Sequence, residues 1–282
     1  MNEEKYIVNK DESTYLFYID DKNLHMQIIK EEQKLENYII EQNVECFCAD
    51  INEDTIHIIC INSYGNLIHL QYLDSGTKKD VLTVLDIQHN KFNGIKMCID
   101  NFNIDIFIVV LNIKANNYNL IHYSINNIDL EKYKLGEVVY DEYSSYKIDI
   151  DSKNNIHLIY RAYNNSKIQL YYRMFNKVYK RWLVPEKISD RNLDTTNINI
   201  LCDSNNYVHL FWTTTTTLNY VYKKVDDSLI SNWNRHLDFK QMYDGVYNTM
   251  LIQVGNDIRL FWTHHKTLYC AQTEIGKNYG KI

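Results

Sequence analysis

Histidine recurs in this chain at fixed places, and its side chain can ligate a metal or move a proton near neutral pH. His57, His157 and His209 stand at one position of a repeating phrase, and His25, His69 and His122 stand at a second. A metal site gathers its ligands at one point. One histidine per repeat instead predicts a structural hydrogen bond made once per unit. His264 and His265 break the pattern in Trp262-Thr263-His264-His265-Lys266, on an expected hairpin tip. Adjacent imidazoles suit a transition metal, but no third ligand is evident, so they read as exposed ligand-binding candidates. No metal or other cofactor is expected. The six cysteines (Cys46, Cys48, Cys60, Cys98, Cys202, Cys270) form no C-x-x-C pair and read as reduced core thiols.

Aromatic side chains close the same phrase as Tyr18, Tyr160, Trp212 and Trp262. Such faces stack on sugar rings or peptide side chains, or wedge between layers of a core. All six arginines lie after residue 160. The densest mixture of cations and aromatics runs from Tyr160 to Trp182, with Arg161, Arg173 and Arg181, as a surface for a glycan, an acidic peptide or single-stranded nucleic acid requires, and as ordinary outer-strand decoration explains equally well. The ligand-binding candidates are Tyr160, Arg161, Arg173, Trp212, Arg259, Trp262, His264 and His265; no catalytic residue is assigned. Asp50, Asp100, Asp151 and Asp203 open Asn-rich turns and read as caps rather than Ca²⁺ ligands, since each turn brings one firm carboxylate. Asp105 and Asp149 interrupt apolar strands, and a water-filled central channel would accommodate Asp149.

The elements that must position these groups are legible in the repeat. The phrase is written as Thr14-Tyr15-Leu16-Phe17, Ile56-His57-Ile58-Ile59, Ile104-Asp105-Ile106-Phe107, Ile156-His157-Leu158-Ile159, Val208-His209-Leu210-Phe211 and Ile258-Arg259-Leu260-Phe261. Successive second residues are 42, 48, 52, 52 and 50 positions apart, a period that marks a repeat architecture. Period-two alternation rich in Ile, Tyr, Val and Thr makes each repeat a set of strands. A strand precedes the phrase, a hairpin leads to a third strand, and a weaker outer strand follows. The outer strands are expected at Asn37 to Glu41, Val81 to Gln88, Gly136 to Tyr140, Trp182 to Ile188 and Trp233 to Phe239. The stretch from Ile28 to Asn37 reads as a strand followed by a charged turn. Lys5 to Val8 either begins the first repeat or completes the last.

Four antiparallel strands per repeat, six times over, predict an all-β chain forming a six-bladed β-propeller, with five or seven blades as alternatives. One domain is expected over residues 1–282, with repeats at about 4–42, 43–90, 91–142, 143–191, 192–242 and 243–282. The compound pattern Asp-x-x-Asn-x-[Ile/Val]-His-Leu-x-[Tyr/Trp], a hairpin, then [Ile/Leu]-x-[Leu/Tyr]-x-Tyr, runs through Asp151 to Tyr172 and Asp203 to Tyr222. It resembles bacterial propeller repeats near the sialidase (Asp-box) and fucose-specific lectin superfamilies. That resemblance implies the fold but neither activity. The Ser-x-Asp-x-Gly-x-Thr-Trp box is missing, and the arginines share no common repeat position.

Net charge is −6, which provides no broad basic footprint and makes nucleic acid an unlikely partner. The N-terminus lacks the apolar run of a signal peptide, no stretch is long enough for a membrane helix, and a cytoplasmic location is expected. The expected role is a non-catalytic binding or scaffold module that recognises a protein or a carbohydrate on one propeller face. A propeller-type glycoside hydrolase or lyase is the first alternative, and a coat or surface-layer component the second. Oligomeric state is not legible.

Overall fold

Residues alternate apolar and polar along most of the chain, and chains of that kind bury one pleated face per strand. The computed structural model describes residues 5–30, 33–73, 76–100, 103–126, 129–141, 143–189, 194–214, 217–225, 232–235, 246–264 and 267–274. Every element in it is a strand. No helix among the described residues is long and apolar enough to cross a membrane. The strands form six antiparallel sheets, in two compact units at 1–137 and 138–282.

In the first unit, sheet one holds β1 (Lys5–Lys10), β2 (Ser13–Asp20), β3 (Asn23–Lys30) and β4 (Gln33–Glu41). Sheet two holds β5 (Val44–Asn52), β6 (Thr55–Asn62), β7 (Asn66–Leu73) and β8 (Gly76–Val84), and sheet three β9 (Asn90–Ile99), β10 (Ile104–Asn112), β11 (Asn117–Ile125) and β12 (Leu130–Glu137). In the second unit, sheet four runs β13 (Tyr146–Ile150), β14 (Ile156–Asn164), β15 (Lys167–Asn176) and β16 (Arg181–Trp182), with β17 (Glu186–Lys187) also on β15. Sheet five runs β18 (Ile198–Cys202), β19 (Tyr207–Thr213), β20 (Leu218–Lys224) and β21 (Asn234–Arg235). Sheet six shows β22 (Val246–Val254), β23 (Asp257–His264) and β24 (Thr267–Glu274).

The phrase strands β2, β6, β10, β14, β19 and β23 lie between two neighbours in every sheet. They bury residues on both faces, as with Ile56 through Ile61 and Ile106 through Val109. Such two-faced burial explains their near-continuous apolar runs, each large aliphatic chain contributing about 1.5–3 kcal/mol. Apolar clusters join neighbouring sheets: Phe17, Leu24 and Met26 pack with Phe47 and Ile58, and Leu170 and Tyr172 pack with Leu210 and Val221.

One open alternative is decided and two boundaries differ from expectation. β1 pairs with β2, which assigns Lys5 to Val8 to the first repeat. The charged stretch after Lys30 enters β4 at Gln33, because pairing with β3 satisfies a backbone that a turn would leave exposed. The third outer strand begins six residues earlier than expected, at Leu130–Glu137 rather than Gly136 to Tyr140. Few glycines are needed at the turns, because mostly Asn and Asp adopt the left-handed conformation there, Asn154 and Asn206 among them.

Candidate functional site

The recurring polar residues are consumed inside the sheets. The second residue of the phrase meets a third-strand residue one diagonal step from its register partner. His57 Nδ1 lies 2.9 Å from His69 Nε2 and His122 Nε2 lies 2.8 Å from Asp105 Oδ1. His157 Nδ1 lies 2.7 Å from the Tyr172 hydroxyl and His209 Nδ1 2.6 Å from the Tyr220 hydroxyl. Burial, followed by the influence of His57, pushes His69 down to about 4, and burial also lowers His57. Both rings of that pair are therefore neutral at pH 7. Register places Met26, not His25, at the position of His69, because Tyr15 pairs with Ile28. His25 instead stacks on Tyr18, and both its ring nitrogens are buried without a hydrogen-bond partner.

The turn aspartates complete these networks. Asp151 Oδ1 accepts from the Lys153 and Asn155 amides, and Oδ2 lies 3.1 Å from His157 Nε2. Asp203 repeats this with the Asn205 and Tyr207 amides and His209 Nε2. Burial raises both carboxyls, but the histidine and amide hydrogen bonds outweigh it and the net shift is downward. Asp149 does not need a channel to account for it: its Oδ2 accepts the Cys202 amide of the next sheet at 2.6 Å. Burial dominates there and raises its pKa.

The residues singled out as ligand contacts sit as follows. Tyr160, Trp212 and Trp262 are buried, 6%, 6% and 7% exposed, and Tyr160 and Trp262 stack on Tyr171 and Tyr269. Arg161 is fully buried: two nitrogens donate to the two Asp141 oxygens at 2.7 Å, and Nε donates to the Thr195 carbonyl. Arg173 lies over the Trp182 ring and donates to the Leu183 carbonyl. Arg259 is half-buried, and its Nε and the Trp262 indole N–H are buried without hydrogen-bond partners. The His264 side chain and the whole of His265 lie outside the described residues. Tyr160, Arg161, Arg173, Trp212, Arg259 and Trp262 are not among the residues lining the cleft of the first unit.

An open cleft of about 460 Å³ lies instead in the first unit, between sheets two and three. Alternation builds its floor from one face of sheet three. Asn90 and Phe92 of β9 stand opposite Asn112 and Val110 of β10, and Val110 opposite Asn119 of β11. Ile121 and Tyr123 continue the face to Lys134 and Lys132 of β12. Thr83, Val84, Leu85 and Asp86 form the other wall. That wall is fixed by Gly65: the Leu85 amide donates to its carbonyl, and its φ of +84° admits no side chain, since a Cβ would meet the Leu85 oxygen at 2.5 Å.

Polar groups stand among the apolar lining residues of the cleft. Asn119 is only 8% exposed, yet its Oδ1 accepts no hydrogen bond while its Nδ2 donates to Asn117. Lys132 extends over the Tyr123 ring, 5.6 Å from its centroid. Asp86 is held by His89, both through the imidazole Nδ1 at 2.8 Å and through the His89 amide. Sequence reasoning missed Lys132 and Lys134 because it began the outer strand at Gly136. With β12 placed at Leu130, the alternation Leu130-x-Lys132-x-Lys134 puts both lysines on one face and would have flagged them.

A second exposed surface lies on sheet four. Its outer strand is interrupted between β16 and β17, where Val184 stands 82% exposed beside Pro185. Val178 and Tyr179 protrude from the preceding turn, with Arg181 over the Tyr179 ring.

Six antiparallel sheets in sequential repeats define an all-β chain of the six-bladed β-propeller class, and solved structures agree. A polysaccharide lyase superposes with a TM-score of 0.59 at 7% identity, covering 97% of this chain and 77% of the other. A fucose-specific lectin from Aleuria aurantia gives 0.50 at 9% identity, covering 99% and 98%. A complex of fission yeast SREBP–SCAP binding domains gives 0.52 at 11% identity, covering 98% and 78%. Identities this low establish the fold alone. No protein-family model and no curated protein sequence matches the chain.

Proposed function

We propose that the protein is a non-catalytic binding propeller whose ligand is a saccharide seated in the cleft between sheets two and three. The observation that carries this reading is the buried, unpartnered Oδ1 of Asn119 in the cleft wall. A buried acceptor without a donor costs about 1–3 kcal/mol, and a ligand hydroxyl would supply the donor. The neighbouring Asn90 and Asn112 add amide donors and acceptors, Phe92 and Tyr123 add ring surface, and the volume falls in the range of about 300–1,000 Å³ usual for small-ligand sites. The folds of a lectin and a polysaccharide lyase are compatible with this reading and do not decide between binding and cleavage.

A non-catalytic role is supported by the lining. Glycoside hydrolysis generally needs two carboxylates flanking the bond. Asp86 is the only carboxylate among the lining residues, and it is tied to His89. The test is a glycan array probed with the intact chain, followed by chromatography of any bound oligosaccharide after long incubation. Retention of an intact ligand is expected. Shortened or unsaturated products would establish an enzyme instead.

A protein partner is the second reading, favoured by the exposed Val178, Tyr179 and Val184 beside Arg181 on sheet four. Loss of a co-purifying partner on Tyr179→Ser with Val184→Ser, with glycan binding intact, would support it.

A further inference from the structure

We infer that the cleft selects an acidic saccharide, one whose ring carries a carboxylate or a sulfate. This rests on the cleft being the ligand site and goes further by naming the chemistry it prefers.

Lys132 and Lys134 occupy alternate positions of β12 and so project on the same face, into the cleft. Both are exposed, and neither forms an ion pair with a described residue. Of the acidic residues of the same strand, Glu131 projects the other way and accepts from the Tyr133 hydroxyl, while Glu137, opposite Asn119 beyond a bulge, is taken up by Asn117 Nδ2 at 2.6 Å. The one carboxylate in the lining is Asp86, on the opposite wall, whose oxygens are taken by His89 and by the Gln88 and His89 amides. Two ammonium groups thus face the cleft with no acid of their own to neutralise them. Other lysines of the first unit do find acids, as Lys22 finds Glu45 at 3.3 Å and Lys78 finds Asp80 at 2.8 Å.

A neutral sugar would satisfy Asn119 and leave both lysines unused. An acidic sugar uses all three: a ring hydroxyl donates to Asn119 Oδ1, the ring lies along Phe92 and Tyr123, and the anionic group receives the lysine N–H donors. Charge-assisted hydrogen bonds of that kind are roughly twice as strong as neutral ones. Lys132 lies over the Tyr123 ring, so binding would draw the ammonium from the ring face onto the anion and uncover the ring for stacking.

The test is an array in which each acidic glycan, bearing uronate, sialate or sulfate, is paired with its methyl-esterified or desulfated counterpart. It is followed by calorimetric titration of the best pair. The wild-type chain is expected to bind the acidic member roughly tenfold or more tightly, with the preference shrinking in 0.5 M salt as screening tightens. Lys132→Glu with Lys134→Glu should abolish the preference. Lys91→Glu, an exposed change on the opposite face of sheet three, should retain it, which separates the cleft from general electrostatics. Equal or tighter binding of the neutral member overturns the inference, as does a preference that survives the double substitution; in both cases the saccharide reading stands. Failure of every glycan, acidic or neutral, removes that reading together with the inference.

Discussion

Asp149 and Asp151 lie two residues apart, yet their surroundings drive them in opposite directions. Asp149 is half-buried against the Cys202 amide, and desolvation dominates, so its pKa rises above 3.8. Asp151 is buried, but hydrogen bonds from His157 and Asn155 bring it below 3.8. The linkage follows from these signs. The stability that Asp151 contributes is complete above pH 3.8 and is lost as pH falls through its lower folded value. Asp149 acts oppositely, relieving the fold as it protonates on the way down to 3.8. A carboxyl-carbon NMR titration should show Asp149 taking up its proton first; the reverse order would refute the assignment of these networks. Arg161 provides a second residue-scale test. Arg161→Met leaves the part-buried Asp141 carboxylate unpaired and should destabilise the protein by about 3 kcal/mol in urea denaturation, with Asp141→Ala added to it restoring part of the loss. A change of only a few tenths would mean that the pair is not formed in solution. Some of this was legible in advance: histidines recurring with the repeat pointed to one internal bond per blade, and Asp-Asn turns pointed to caps. What was not legible was the diagonal pairing, because one residue of register decides whether a third-strand histidine faces its partner. His25 missed that face by one position.

At the scale of elements, the strands were readable because each phrase is apolar on both faces, whereas the outer strands carry the weaker signal of a surface. The error that mattered was the third outer strand. Its lysines resemble loop composition, and the start of β12 became evident only through its pairing with β11. The arginine-rich stretch drew attention in sequence because cations and aromatics are common to binding sites and to inter-strand packing. Arg161 and Tyr160 proved to be packed inward, whereas the unremarkable Asn119 retained an open hydrogen-bonding valence. The hairpin between β6 and β7 is part of the same site, since Gly65 sets the approach of Leu85 and Asp86. Gly65→Ala should therefore destabilise the protein by about 1–3 kcal/mol and weaken ligand binding through displacement of that wall. Thermal unfolding combined with titration checks both effects. Unchanged binding in a destabilised variant would detach the hairpin from the site.

At the scale of the whole molecule, six similar sheets are produced by six similar stretches of sequence, and most of the polar residues that look functional are needed to make each sheet. The cleft is different in kind. It arises where one face of sheet three meets the wall after β8, and there two lysines form no ion pair with a described residue and the Asn119 Oδ1 accepts no hydrogen bond. A saccharide bound and left intact is the outcome this arrangement favours. The most direct measurement is calorimetric titration of the array-selected oligosaccharide into the intact chain and into Asn119→Ala, with the sugar recovered and analysed afterwards. The expected result is roughly a tenfold loss of affinity in the variant, close to the 1.4 kcal/mol of one hydrogen bond, with the oligosaccharide recovered unchanged from both. Equal affinity in the two proteins, or a cleaved sugar, would contradict the assignment of this cleft as a non-catalytic saccharide site.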